Sequence, residues 1–211
     1  MFIDLVMPKD NEAEFIEMAG KLGIPGLCFL YHCTNRKEFE EHKALVDNLK
    51  ATTKLKLFSG IVADAAALAA AKQLTKVVAV TSSSHDRDVI ERGRPGILFG
   101  MELLEQRDAL HQRNSGLNQV HCALMAQNRV MAAFPFAPLL SLESKRRALA
   151  MGRIMQNIRL CRKYRVVMLI ASFAEQPFSL RSGHDLKSFY TTMGMHPREA
   201  RDALERMHTS L

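Results

Sequence analysis

The side chains best suited to chemistry in this chain are arginines in predicted loops, each beside small polar residues. Arg87 follows three serines, Arg113 lies in the sequence QRNSG, and Arg181 lies in SLRSGHD. A guanidinium group presents a fork of N–H donors that fits two phosphate oxygens, and serine hydroxyls can add further hydrogen bonds. Each arginine alone could equally contact water or a nearby acid. Together they favour a surface that binds phosphate groups.

A second group of cations lies in the segment Ser141–Arg165, which holds eight Lys or Arg and one acid, Glu143. The segment carries a charge of +7, which equals the net charge of the whole chain, and the rest holds 21 basic and 21 acidic residues. Apolar residues recur every three or four positions, which predicts an amphipathic helix capped by Ser141 or Ser144. The residues predicted on its outward face are Lys145, Arg153, Arg159 and Lys163.

This one-signed helix face has two interpretations. It could be a solvated surface, which is the usual explanation of a charge run. Solvated faces normally mix the two signs, however, because like charges four residues apart repel each other. The near-absence of acids therefore favours contact with a polyanion, and nucleic-acid backbones are the commonest large polyanions.

The sequence lacks the motifs that usually mark a catalytic centre. It contains no GxSxG, GxGxxG or P-loop pattern, and its four cysteines form no CxxC pair. A metal-dependent barrel hydrolase would need His-x-His at the end of its first strand, where this chain has Phe2-Ile3-Asp4. We interpret His85-Asp86 as a loop histidine beside a helix-capping acid. We therefore expect no catalytic residue and no bound metal or cofactor.

Predicted strands and helices alternate about seven times along the chain. The strands are short and apolar on both faces, which predicts parallel pairing with helical crossovers. We predict an α/β fold, a single TIM-barrel-like (β/α) barrel over residues 1–211 that is lopsided or incomplete; an open doubly wound sheet is the alternative. In both folds the loops after the strands lie at one end, where the three arginines would then meet. The absence of long apolar runs and of paired cysteines predicts a cytoplasmic protein without a membrane-spanning helix.

Several stretches of the chain resemble one protein family. The sequence motifs that carry the resemblance lie from Ile97 onward, and the order of predicted strands and helices is similar over nearly the whole length. The stretches are Gly116-Leu117-Asn118 opening a predicted helix, the run Phe134-x-Phe136-x-Pro138-Leu139-Leu140, and Arg181 with Asp185 ahead of Met193-Gly194-Met195. On these residues the chain is similar to archaeal ribonuclease P protein component 3, the counterpart of the thirty-kilodalton eukaryotic subunit.

The resemblance implies a barrel related to the polymerase-and-histidinol-phosphatase (PHP) hydrolases. It also implies a subunit of the endoribonuclease that removes 5′ leaders from precursor tRNA, in which the RNA subunit uses Mg²⁺ and the protein alone is not catalytic. The implied partners are ribonuclease P RNA, protein component 2 in a heterotetramer and, indirectly, precursor tRNA. The family's RNA contacts map most safely onto Arg87 and Arg181, whereas Ala137-Pro138 replaces an expected basic residue.

Two hypotheses from other classes stay open at this stage: a metal-dependent barrel phosphoesterase acting alone, and a basic scaffold that meets only proteins. Under the leading hypothesis, Arg87 and Arg181 contact RNA directly. The other cations predicted to bind RNA, as a surrounding field or a second surface, are Arg113, Lys145, Arg153, Arg159 and Lys163.

Overall fold

The computed structural model describes residues 1–105, 107–108, 110 and 113–210. Within these residues, seven strands pair in parallel and in chain order, from β1 to β7. They are β1 (Asp4–Val6), β2 (Gly26–His32), β3 (Lys56–Ala63), β4 (Val78–Thr81), β5 (Ile97–Phe99), β6 (Met131–Pro135) and β7 (Met168–Ala171). A doubly wound sheet would reverse its strand order at one point. The unbroken order therefore confirms the barrel prediction over the open-sheet alternative.

Helices alternate with the strands. They are α1 (Glu12–Lys21), α2 (Arg36–Lys50), α3 (Leu68–Leu74), α4 (Asp86–Asp88), α5 (Gln119–Asn128), α6 (Ala137–Ser141), α7 (Ser144–Tyr164), α8 (Gly183–Thr192) and α9 (Pro197–Ser210). Short turns of other helical types span Val89–Gly93, Met101–Leu103 and Pro177–Ser179. None of the helices in the described part of the chain is long and apolar enough to cross a membrane.

In the described part of the chain, the first and last strands of the sheet meet at their carboxyl ends. There the Phe173 N–H donates to the Leu5 carbonyl at 2.8 Å, and the Met7 N–H donates to the Ala174 carbonyl at 2.8 Å. Helix α9 packs against β7, and its Met207 joins the cluster of side chains that fills the barrel interior. Seven strands and one helix therefore enclose the core, which is the incomplete barrel that the sequence predicts.

Both faces of each strand are apolar because the core has two layers, one inside the barrel and one between the sheet and the helices. In β2, Cys28 and Leu30 point into the barrel, whereas Leu27, Phe29 and Tyr31 pack beneath the helices. Strands buried on both faces have nearly continuous apolar sequences, because no side of the pleat meets water.

Two predicted elements end or begin elsewhere in the structure. The strand predicted to run from Gly96 to Leu103 stops at Phe99, because Gly100 has a left-handed φ of 81° and turns the chain into a helical turn. The helix predicted from Asp64 begins only at Leu68, because the Asp64 carboxylate accepts the Ala67 N–H at 2.8 Å and holds a turn.

The predicted serine cap of the basic helix is wrong. Pro138 lies in the first turn of the separate helix α6, and Ser141 ends that helix with its hydroxyl donating to the Pro138 carbonyl at 3.0 Å. The residue that precedes α7 is Glu143, and its side chain forms no capping hydrogen bond. Arg147 joins the two helices, because its Nε donates to the Leu139 carbonyl at 2.9 Å.

Candidate nucleic-acid interface

The loops that follow the strands all lie at one end of the barrel, here called the mouth, because the strands are parallel. Arg87 follows β4, Arg113 follows β5, and Arg181 lies between β7 and α8. The three arginines therefore follow the carboxyl ends of strands, but the structure does not bring them together at one point. β4 and β7 lie three strands apart in the sheet, so Arg87 and Arg181 are on different sides of the mouth. Helix α7 follows β6, so Lys145 at its start is also at the mouth.

Arg87 is an exposed cation with only a loose partner. Its side chain is 70% exposed, and its Nε lies 3.8 Å from a carboxylate oxygen of Glu91, one turn further along. Exposed pairs of this kind contribute about 0.3–0.5 kcal/mol. The guanidinium group can therefore exchange this acid for a phosphate at little cost.

The serines before Arg87 form hydrogen bonds within their own loop, which leaves them less able to bind a ligand. The Ser82 hydroxyl donates to the Asp86 carboxylate, which also accepts the Ser83 N–H at 2.7 Å. Burial raises the pKa of Asp86. Asp86 is the first residue of α4 and bonds to serines, whereas His85 has its Nδ1 3.2 Å from the Ser84 hydroxyl. The His85-Asp86 pair is thus not an acid-oriented base.

Arg181 is held in one orientation by its own loop. Its Nη1 donates to the carbonyls of Phe178 at 3.0 Å and Leu180 at 2.6 Å, and its guanidinium carbon lies 5.5 Å from the centre of the Phe136 ring. The Nε and Nη2 donors form no hydrogen bond with any described residue. A fixed guanidinium with free donors suits a phosphate, because little side-chain entropy is lost on binding.

The acid nearest to Arg181 in the sequence does not neutralise it. Asp185 lies in the first turn of α8, where its N–H donates to the Ser182 hydroxyl at 3.2 Å and its carboxylate accepts from that hydroxyl at 2.8 Å. These bonds, followed by the neighbouring His184, lower the pKa of Asp185. Arg181 and Asp185 therefore have separate roles: Ser182 caps α8 and is bonded to Asp185, and the arginine stays available.

Arg113 connects the mouth to α7. Its Nη1 donates to the Gly152 carbonyl at 2.9 Å. The contact is close: a Cβ at position 152 would lie 3.0 Å from the Arg113 guanidinium carbon. Arg113 remains exposed, so its other donors can still meet a ligand. Arg113 thus lies against the middle of α7.

Arg153 is buried, so its predicted outward placement is wrong. It is 2% exposed, and its Nε lies 2.8 Å from a carboxylate oxygen of Asp108. Its Nη1 donates to the backbone carbonyls of Glu102 at 3.1 Å and Glu105 at 2.6 Å. All three partners belong to the segment that follows β5. Arg153 therefore anchors this segment and is not part of the exposed basic surface.

Neighbouring side chains of α7 anchor the same segment. Gln156 donates to the Ser115 hydroxyl at 3.0 Å, and Asn157 donates to the Ser115 carbonyl at 2.8 Å. The polar face of α7 is thus covered in its middle by a long loop. Helical periodicity cannot reveal such a cover, because it reports only which residues share a face.

Other cations of the helix are also used within the protein. Arg147 donates to three backbone carbonyls around α6, and Arg162 forms two hydrogen bonds of 2.7 and 2.6 Å with the Glu199 carboxylate. The exposed cations that remain without an acidic partner among the described residues form what we call the basic face of α7: Lys145, Arg146, Arg159 and Lys163.

The basic face has the geometry of a strip. Lys145, Arg159 and Lys163 lie within about 40° of one another around the helix and extend along about 27 Å of its axis. Lys163 also lies 5.5 Å from the ring centre of Tyr164. The loop after β5 covers the middle of this strip, so a polyanion can meet Lys145 at the mouth end and Arg159 with Lys163 at the far end.

Exposed cations on the other helices mostly have an acid within one turn. Such pairs are Lys21 with Glu17, Arg36 with Glu40, Lys37 with Glu41, Lys50 with Asp47, Arg92 with Asp88 and Arg198 with Asp202. The excess positive charge of the sequence is thus concentrated in space on α7 as well as in the chain.

Two carboxyl groups of the described residues, those of Asp4 and Glu102, are fully buried. Burial raises the pKa of Asp4 to about 7 and that of Glu102 to about 7. The Asp4 carboxylate accepts the Ser172 N–H at 2.6 Å, whereas neither oxygen of Glu102 has a hydrogen-bond partner among the described residues. No group of three or more His, Cys, Asp or Glu in the described ranges is arranged to hold a metal ion.

Sequence reasoning missed two residues at the mouth. Arg146 is exposed beside Lys145, but the helical periodicity places it about 100° from the predicted outward face. Phe178, in the turn before Arg181, is 82% exposed. An aromatic residue within a polar loop was the only available signal for it.

Comparison with known proteins gives one consistent family. Residues 107–211 match the model of the family described as RNase P subunit p30. Ribonuclease P protein component 3 of Methanosarcina mazei is 35% identical over 92 residues, which are 44% of this chain and 38% of that protein. The corresponding protein of Methanocaldococcus jannaschii is 25% identical over 177 residues, which are 81% of this chain and 72% of that protein.

The fold has a solved counterpart. A chain in the cryo-EM structure of archaeal ribonuclease P with mature tRNA superposes with a TM-score of 0.78 at 21% identity, over 99% of this chain and 89% of that chain. At this identity the likeness concerns the fold. The match to the M. mazei relative spans well under half of that protein's length, whereas the match to the M. jannaschii relative spans most of it. Taken with the barrel and the motifs that begin at Gly116, these findings place residues 107–211 of the chain in the RNase P subunit p30 family.

Proposed function

We propose that this chain is a protein subunit of the ribonuclease P ribonucleoprotein and that it binds and supports the catalytic RNA subunit. The observation that carries the proposal is the basic face of α7, which has no acidic partner in the described part of the chain and has the exposed Arg113 against the middle of its helix. A surface of one sign suits an RNA backbone, since each neutralised phosphate releases condensed counterions. Membership of the p30 family favours this function over a metal-dependent phosphoesterase acting alone.

We assign the RNA contacts in two groups. Arg87 and Arg181 bind phosphates at the two sides of the mouth, because both present guanidinium donors that no strong partner occupies. The cations that track the RNA backbone between and below them are Arg113, Lys145, Arg146, Arg159 and Lys163. Arg153 is excluded from this set, because it is buried against the loop it anchors.

The finer features of the proposal come from the family resemblance. The RNA subunit holds the catalytic Mg²⁺, and this chain alone does not cleave precursor tRNA. Its protein partner is component 2, in a heterotetramer, and its contact with precursor tRNA is indirect. The complex acts in the cytoplasm as an endoribonuclease that removes 5′ leaders. The solved archaeal complex with mature tRNA supports this assignment through its similar chain.

The test is the salt dependence of RNA binding and cleavage. The variant Lys145→Ala/Arg159→Ala/Lys163→Ala removes three cations of the basic face. We expect the slope of log affinity for ribonuclease P RNA against log salt concentration to fall by about 2, since each phosphate contact contributes roughly 0.7–0.9. Reconstituted precursor-tRNA cleavage, with the RNA subunit and component 2, should weaken most at high salt.

The matched control is Lys21→Ala/Lys37→Ala/Lys50→Ala, which removes the same charge from exposed, acid-paired positions of α1 and α2. It should leave the slope close to that of the native protein. Equal effects of the two variants would mean that net charge alone matters. A native protein whose RNA affinity did not change with salt would contradict the proposal altogether.

A further inference from the structure

An open cleft lies at the mouth between the loops that follow β2, β3 and β4. Its volume is about 860 Å³, within the roughly 300–1,000 Å³ typical of small-ligand sites. We call it the mouth cleft; the lining residues that matter here are His32, Cys33, Asp64, Ala66, Ser83 and His85. Neither the basic face of α7 nor Arg181 belongs to it.

The cleft exists because α3 begins late and its approach is built from alanines. The turn held by the Asp64 carboxylate occupies positions 64–67, and the three residues after Asp64 are Ala65, Ala66 and Ala67. Larger side chains at these positions would fill the space above β3. Ala65 and Ala66 are exposed instead, and they form one wall of the cleft.

The lining combines an apolar surface with a few polar groups. Val62, Ala63 and Val80 contribute apolar area at the ends of β3 and β4. The His32 imidazole and the Thr81 hydroxyl form no hydrogen bond with any described residue, so both can bind a ligand. An apolar cavity with a small number of free polar groups is the usual form of a site for a planar organic molecule.

The charges of the cleft determine whether the base or the phosphate of a nucleotide would lie inside it. Asp64 lies within the lining, and one of its carboxylate oxygens is used by the Ala67 N–H. Burial raises the pKa of the Cys33 thiol to about 11, so this group stays neutral. A carboxylate repels phosphate and accepts N–H groups. The interior therefore suits a base and opposes a phosphate.

Cations lie at the rim of the cleft. Arg36, the first residue of α2, is 79% exposed and lines the adjoining groove together with Cys33 and Thr34. Its Nε is 4.0 Å from Glu40, so the ion pair is loose. On the other side, Arg87 follows the lining residue His85 by two positions. A phosphate at the rim can thus meet Arg36 on one side of the cleft or Arg87 on the other.

We propose that the mouth cleft binds one unstacked nucleotide, with its base inside and its phosphate at the rim, beside Arg36 or Arg87. The base preferred by this geometry is guanine, because its N1–H and N2–H donors point the same way and can both reach the Asp64 carboxylate. The inference rests on the proposed function when the nucleotide belongs to ribonuclease P RNA. A free guanosine monophosphate has the same chemistry, and the experiment separates the two sources.

Two variants test the cleft without touching the core. Ala66→Leu fills it from an exposed position, and Asp64→Asn keeps the oxygen that caps the Ala67 N–H while it removes the charge. Ala123→Leu on α5 is the matched control, since this alanine is also exposed on a helix but lies outside the cleft. All measurements use the full chain.

The first measurement is NMR titration with guanosine and cytidine monophosphates, followed through the ring protons of His32 and His85. We expect saturable shifts with guanosine monophosphate and weaker binding of cytidine monophosphate. Ala66→Leu should bind at least about fivefold more weakly, a loss of roughly 1 kcal/mol, because the leucine side chain occupies the space of the base. Asp64→Asn should lose the preference for guanine, and Ala123→Leu should behave as the native chain.

The second measurement is affinity for ribonuclease P RNA at fixed salt. We expect Ala66→Leu to lose about fivefold or more with an unchanged salt slope, because no cation is removed. Native-like RNA affinity for Ala66→Leu, together with no nucleotide binding, would overturn the cleft site and leave the proposed function standing. A chain that binds guanosine monophosphate in the cleft but no ribonuclease P RNA would keep the site, with a free nucleotide as its ligand, and contradict the proposed function.

Discussion

Replacing Arg153 by Met tests whether this cation anchors a loop or binds RNA. The substitution removes a 2.8 Å ion pair with Asp108 and two hydrogen bonds to the carbonyls of Glu102 and Glu105. Breaking one side of a buried ion pair destabilises a protein by about 3–5 kcal/mol. The Asp108 side chain is 19% exposed and can partly rehydrate, so the loss of unfolding free energy should lie near about 3 kcal/mol.

The matched control is Arg159→Met, which changes an exposed cation on the same helix and should alter stability by less than about 0.5 kcal/mol. Urea denaturation followed by circular dichroism measures both. At roughly 2–4 °C per kcal/mol for a domain of this size, Arg153→Met should lower Tm by about 6–12 °C. In RNA binding the order reverses: Arg159→Met should lower the salt slope by about 0.7–0.9, and Arg153→Met should not. A stable Arg153→Met protein with a reduced salt slope would refute the anchoring role.

Two further predictions concern the same part of the barrel. Burial raises the pKa of Glu102 from 4.5 to about 7, so its proton is held more tightly in the folded state than in the unfolded state. As the pH rises between these two values, the unfolding free energy therefore falls by up to roughly 1.4 kcal/mol per pH unit. Glu102→Gln should remove this decline, so its stability relative to the native protein should be greater at pH 8 than at pH 5 in urea denaturation; a constant difference would contradict the assignment. Gly116→Ala should destabilise by more than about 2 kcal/mol, because φ is 81° and the new Cβ would lie 2.3 Å from the Met101 carbonyl oxygen. Gly194→Ala is its control, with φ 105° and nothing within 4 Å of the added Cβ, and an equal loss in both would mean that the clash is relieved.

Much of the fold could be predicted because its causes are local. Helix α2 runs from Arg36 to Lys50 as its sequence pattern predicts, and the Asn35 side chain caps it by accepting the Glu38 N–H. The apolar strands indicated parallel pairing, which placed Arg87 and Arg181 at one end of the barrel without any knowledge of contacts. The left-handed turn at Gly100 was missed, since a glycine within an apolar run resembles a strand interior.

The partners of the cations could not be predicted, because they come from distant parts of the chain. Arg162 meets Glu199 across 37 positions, and Arg153 meets Asp108 across 45 positions. Only the folded chain brings these groups together. The basic face in the structure therefore differs from the predicted outward face of α7: it does not include the buried Arg153, and it includes the exposed Arg146.

The sequence by itself determined the barrel class, the end at which the loop arginines lie and the concentration of excess charge between Ser141 and Arg165. These properties depend on composition and on periodicity along the chain. Tertiary structure alone decided the closure of seven strands with α9, the burial of Arg153, and the cleft above Ala66. Each of these depends on which distant segments pack together, and side-chain periodicity within one element carries no record of that packing.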